Sequence, residues 1–237
     1  MRSFRSYLAR TVRAAAFVTL ASTFPAAAET VEVVPGVQVT KRSYTAPINE
    51  QPFFGFAAKT AEQKAEDEKF VTAIINASGS REKAFEEVTK RAWIAIQGGK
   101  VREAAVRFNQ AFLISPDQSS IFHGFAVIAQ ARFNDFEAAD ELFKIALKQP
   151  NPVKALKADY GRLLLIAKRP RDAQEVLDQA VKETPDFSDA WTNLAWARFQ
   201  NGDPAAACAA AEEAAKKRPS NNSITDLTAV MKVAQCK

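Results

Sequence analysis

Apolar residues in this chain recur at spacings of three and four, and the runs are broken at regular intervals by Gly, Asn, Asp and Pro. From Ala190 to Gln200, Trp191, Leu194, Ala195 and Phe199 share one helical face. Asn201-Gly202-Asp203-Pro204 then stops that helix: Gly202 suits a left-handed cap, and Pro204 suits the first turn of the next one. A second helix, Ala205 to Lys217, is mostly alanine, with Glu212, Glu213, Lys216 and Lys217 on its wet side, and Pro219 ends it. Two short helices packed back to back are the predicted unit.

The same punctuation runs upstream. Alanines of the second helix fall at Ala104, Ala139, Ala173 and Ala207, at steps of 35, 34 and 34. Four residues later stand Phe108, Phe143, Leu177 and, as the exception, Ala211. Three further on are Ala111, Ala146, Ala180 and Ala214, and the closing prolines are Pro116, Pro150, Pro185 and Pro219. Four features holding one period through four units are a repeat and not a compositional accident.

These positions resemble the tetratricopeptide repeat, a helix–turn–helix of about 34 residues with the pattern W-x2-L-G-x2-Y, A-x3-F, P. The last unit supplies Trp191, Leu194, Ala195, Gly202, Ala207 and Pro219; the third supplies Tyr160, Gly161, Leu164, Ala173, Leu177, Ala180 and Pro185. The first has Ala92, Gly99, Ala104, Phe108, Ala111 and Pro116, while the second, around Phe122-His123-Gly124-Phe125-Ala126, fits after a one-residue shift. The resemblance implies an all-α, right-handed superhelical solenoid of about four repeats, at about 83–118, 119–152, 153–187 and 188–219. A helix over 60–77, opened by the capping-box residues Thr60 and Gln63, serves as the N-terminal cap, and an amphipathic helix over 222–236 as the C-terminal one. Together they make a solenoid domain spanning 60–237.

The resemblance also implies that the first helix of each repeat lines a concave groove. By helical phase the groove residues are Thr89, Trp93, Ile96 and Gln97; His123, Ile128 and Arg132; Ala158, Arg162 and Leu165; Thr192, Asn193, Trp196 and Phe199. Aromatic faces with amide and guanidinium donors suit an extended peptide, whose main chain needs hydrogen bonds and whose side chains need pockets. Thr89 and Trp93 stand where the family's carboxylate clamp has a lysine and an asparagine, so a clamp of that kind is not expected.

Residues 29–59 carry few helix signals and read as an extended, partly disordered arm. Two valine-rich tetrapeptides flank Pro35-Gly36, forming either a small hairpin or a plain extended stretch. Phe53, Phe54 and Phe56 need a surface to cover: the chain's own repeats, the groove, or another protein.

Charge alters the picture only at the start. The net charge of +5 invites a nucleic-acid reading, but residues 1–28 hold Arg2, Arg5, Arg10 and Arg13 with no acid, and the remainder has 28 basic and 27 acidic residues. A basic start, the apolar Ala14–Ala21 run and the exit Pro25-Ala26-Ala27-Ala28 form a signal peptide cut after Ala28, placing the protein in the periplasm or outside the cell. A mitochondrial presequence is the alternative. The apolar run is too short to span a bilayer. In an oxidising compartment Cys208 and Cys236, at matched depths in two antiparallel helices, read as a disulfide, against two independent buried thiols.

No catalytic, metal or cofactor site is expected. The chain has one histidine, His123, and no CxxC, HxxxH or GxSxG; Gly98-Gly99-Lys100 is a repeat turn and not a phosphate loop. The expectation is a non-catalytic scaffold binding a protein segment in cell-envelope assembly or secretion. The alternatives are a polysaccharide- or peptidoglycan-binding protein, or a mitochondrial assembly factor.

Overall fold

The structure, a computed structural model, describes residues 29–237; the leader and its cut after Ala28 lie outside the described residues. Ten helices follow a short hairpin: α1 (Ala61–Ser78), α2 (Arg81–Gln97), α3 (Val101–Ile114), α4 (Ser119–Phe133), α5 (Phe136–Ala146), α6 (Leu156–Ile166), α7 (Pro170–Glu183), α8 (Ser188–Gln200), α9 (Pro204–Lys216) and α10 (Asn221–Val233). They pack as the pairs α2/α3, α4/α5, α6/α7 and α8/α9, with α1 leaning on the first pair and α10 on the last. The result is a solenoid.

The periodic residues are the packing residues. Ala104, Ala139, Ala173 and Ala207 are fully buried, and so are Phe108, Phe143, Leu177 and Ala211 four positions on. Small residues let helices approach: a Cβ on Gly161 would collide with Leu177 in its own pair. A Cβ on Gly124 would collide with Phe108 of the pair before. Gly124 therefore serves the junction between repeats. Ser119 and Ser188, buried at the starts of α4 and α8, donate to Ala146 O (2.8 Å) and Ala214 O (3.0 Å), tying each pair at its ends.

Helix ends follow local chemistry. Thr60 and Gln63 bond reciprocally at the start of α1, and Gly79, at φ 84°, ends it. Asp135 and Asp203 cap α5 and α9 by accepting from Ala138 N and Ala206 N, each at 2.9 Å. At the far end Cys208 in α9 and Cys236 beyond α10 have Cα atoms 5.3 Å apart and are joined through sulfur.

The arm differs from the extended, partly disordered segment expected. β1 (Thr30–Val34) and β2 (Val37–Thr40) form an antiparallel hairpin about Pro35-Gly36, and β2 rests on α5, where Thr40 N donates to Glu141 Oε1 at 2.7 Å. Short 3-10 turns follow at Ile48–Glu50 and Pro52–Phe56, packed on α3 and α4. Phe53 is 6% exposed, with its ring 4.6 Å from that of Phe125 and edge-on to Phe112 at 5.4 Å. Tyr44 stacks on Phe133 at 3.9 Å and donates to Asp135 Oδ2 at 3.0 Å. Burying these rings offsets the entropy of ordering the arm. The arm lies against α3, α4 and α5 and not across the first-helix face.

Its fit comes at a conformational cost. Phe53, Phe54, Gly55 and Phe56 have φ of 54°, 53°, 62° and 57°. For the three phenylalanines this left-handed turn costs about 1–2 kcal/mol per residue.

Candidate functional site

First helices of successive pairs lie side by side, and two adjoining cavities open along their common face. One, about 250 Å³, is lined by Trp93 and Ile96 of α2, Val127 and Gln130 of α4, and Asp159, Arg162, Leu163 and Ile166 of α6, with Phe143 beneath. The next, about 260 Å³, is lined by Arg162, Leu165 and Ile166 of α6, Asn193, Trp196 and Gln200 of α8, and Asp226 of α10. Arg162 and Ile166 belong to both, so Arg162 stands on the ridge between them.

The polar groups here have mixed engagements. Arg162, with its side chain 51% exposed, donates to Asp226 Oδ2 at 2.5 Å. Asn193 is buried and donates from Nδ2 to Ala158 O at 3.1 Å, a bond that fixes the wall of the second cavity. Beneath the first cavity His123 is 1% exposed, with Nε2 2.9 Å from Asp159 Oδ2 and its ring 4.5 Å from that of Trp93. The pair props the Trp93 wall from below. Trp196 and Phe199 meet edge-on at 6.2 Å.

The sequence-derived residues therefore divide. Trp93, Arg162, Asn193 and Trp196 line the two cavities, together with Ile96 and Leu165. Gln97 is exposed at the end of α2 but lines neither cavity. Phe199 supports Trp196 from a half-buried position. Ile128, Ala158 and Thr192 are core, and Thr89 lines a separate cavity of about 450 Å³ at the starts of α2 and α4. His123 is a core residue beneath the face, not a residue of its surface.

Arg132 is a correction. Nine residues separate it from His123, two and a half helical turns, so the two point to opposite sides of α4. Arg132 turns toward the arm and pairs there with Glu50. Arg102 of α3 joins them, donating from Nε and Nη2 to the same carboxylate at 3.0–3.3 Å. The Arg102 hydrogen bond holds the Glu50 carboxyl below its ordinary value of 4.5. Beside this fork Asn109, fully buried in α3, donates to Asn49 O (3.0 Å) and Gln51 O (2.7 Å) and accepts from Phe54 N (3.0 Å). Neither Asn109 nor Arg102 stood out in the sequence. The one available signal was an asparagine falling among the apolar positions of a second helix.

Residues 159–222 match a family model described as the tetratricopeptide repeat. No curated protein matches the chain. Among solved structures it is similar to PilF of Pseudomonas aeruginosa, at 22% identity over 65% of this chain and 71% of that one, with a TM-score of 0.55. PilW, a type IV pilus biogenesis factor, aligns at 17% identity over 75% of this chain and 89% of its own, with a TM-score of 0.51. Yeast Tom70 aligns at 18% identity over 76% of this chain and 44% of its own, also at 0.51. At these identities the likeness establishes the fold. Among the described residues no helix is long and apolar enough to cross a membrane. The period in the sequence and the stacked pairs agree with the family match: residues 159–222 are tetratricopeptide repeat, and the chain has the fold of a tetratricopeptide repeat solenoid.

Proposed function

We propose that this chain is an exported, non-catalytic scaffold that holds an extended segment of a partner protein across its first helices, in cell-envelope assembly or secretion. The observation that carries this is the pair of adjoining cavities, each walled by a tryptophan and sharing Arg162 on the ridge between them. Half-exposed indoles with a guanidinium, beside the buried and hydrogen-bonded Asn193, have the character of a binding hot spot. PilF and PilW share the fold, and PilW is by name a pilus biogenesis factor, which supports an envelope setting. Export also accounts for the joined Cys208 and Cys236, since disulfides persist in oxidising compartments.

The test is capture from a native envelope fraction with residues 29–237, beside Trp196→Ala and Arg162→Ala variants of unchanged helical signal. A protein held by the wild type and lost with both variants supports the reading. A partner retained by both variants moves binding off this face. N-terminal sequencing of the cellular protein tests export, with Glu29 expected as the first residue and an intact Met1 counting against it.

A further inference from the structure

We propose that the seat beneath the arm is a second peptide-recognition site, occupied here by the chain's own residues 48–56. Its trans ligand would be a partner-protein segment with a carboxylate three residues before an aromatic ring. This stands apart from the first-helix face and does not depend on it.

Three observations carry the inference. Asn109 turns both its amide N–H groups and its carbonyl to the main chain of the arm, two donations and one acceptance, a grip that reads no side chain. Selectivity comes from the flanks: Arg102 and Arg132 fork the Glu50 carboxylate, and Phe112, Phe122 and Phe125 receive the Phe53 ring. Arg132 Nε, buried, has no partner among the described residues, so the arginine pair holds a donor that Glu50 leaves unused.

The resident ligand is also a strained one. From Phe53 to Phe56 the backbone is left-handed, where the chain turns back to reach α1. An untethered segment could keep the contacts up to the Phe54 N–H held by Asn109 and be free of the left-handed turn beyond it. A second copy's arm fits poorly as occupant. It remains joined to its own α1 five residues after Phe56, within about 18 Å, close to the ground already held by the first copy's α1.

The experiment uses residues 29–237 and a fluorescein-labelled peptide of residues 44–57, YTAPINEQPFFGFA. The doubly substituted Glu50→Ala, Phe53→Ala chain, with its arm unlatched, should bind the peptide saturably and at least tenfold more tightly than wild type. Adding Asn109→Ala, or changing the peptide's glutamate to glutamine or its first phenylalanine to alanine, should cost at least tenfold. Trp196→Ala should change nothing. Absence of binding to the folded, unlatched chain overturns the proposal, as does binding that ignores Asn109→Ala or vanishes with Trp196→Ala. If the unlatched chain loses its helical signal, excess unlabelled peptide is added to wild type and exchange of the Phe54 amide is followed. Faster exchange supports displacement, and unchanged protection overturns it. A concentration-dependent wild-type dimer, dissolved by Phe53→Ala, would assign the seat to a second copy and overturn the partner reading.

Discussion

Two surfaces of this solenoid use the same chemistry to opposite ends. On the arm side, aromatic rings and Arg132 are covered by the chain itself, with Phe53 and Glu50 6% and 9% exposed, while Arg102 reaches Glu50 from the solvent side. On the first-helix side, Trp93 and Trp196 remain half-buried and the Arg162 side chain is 51% exposed. Satisfied internally, such groups contribute to folding; left open, they remain available for association. The comparison separates residues whose loss should destabilise the protein from residues whose loss should only empty it.

The sharpest break in that comparison is Phe53→Ala. Removing a ring packed against those of Phe56, Phe112, Phe122 and Phe125 should cost about 3–5 kcal/mol, read as a lower denaturant midpoint for residues 29–237. A cost below about 1 kcal/mol would mean the arm is no part of the folded unit. Next comes the joined Cys208 and Cys236. Replacing both by serine should cost about 3–4 kcal/mol on the chain-entropy model, with faster hydrogen exchange in α10 and little change in α2 to α5. Trp196→Ala should cost only about 1 kcal/mol while weakening partner capture at least tenfold. A large loss of stability would show that the open face is core after all.

Acid should act on the arm through Glu50. Glu50 has a folded pKa below its unfolded one, mainly through Arg102, so its contribution is fully present above about pH 4.5 and is lost as the pH falls through the folded value. Amides of the arm should therefore lose protection in acid before those of α8. Glu50→Gln should remove the difference.

The repeat was legible because it is local. Helix pairs bury alanines and large side chains at a spacing the chain states four times over, and Gly, Asp and Pro mark the turns. The arm was not legible, because its partners lie far along the chain: Asn109 reaches residues 49, 51 and 54. No periodicity announces such contacts. Arg132 shows the limit within a single helix. A first helix has neighbours on both sides, and knowing that a residue lies on α4 does not tell which side it faces unless its angle from a reference residue is counted. His123 failed for a different reason. A polar residue on an inward phase can be buried when a carboxylate, here Asp159, comes to meet it.

The buried rings also make the protein its own optical probe. From Phe53 the aromatic series continues through Phe125 (4.6 Å) and Phe108 (6.4 Å) to Trp93 (5.1 Å), whose indole walls the first cavity. Coupled aromatic transitions at these separations give near-ultraviolet dichroism that depends on ring orientation. An arm leaving its seat would therefore change the spectrum of a tryptophan on the opposite face, with no label attached.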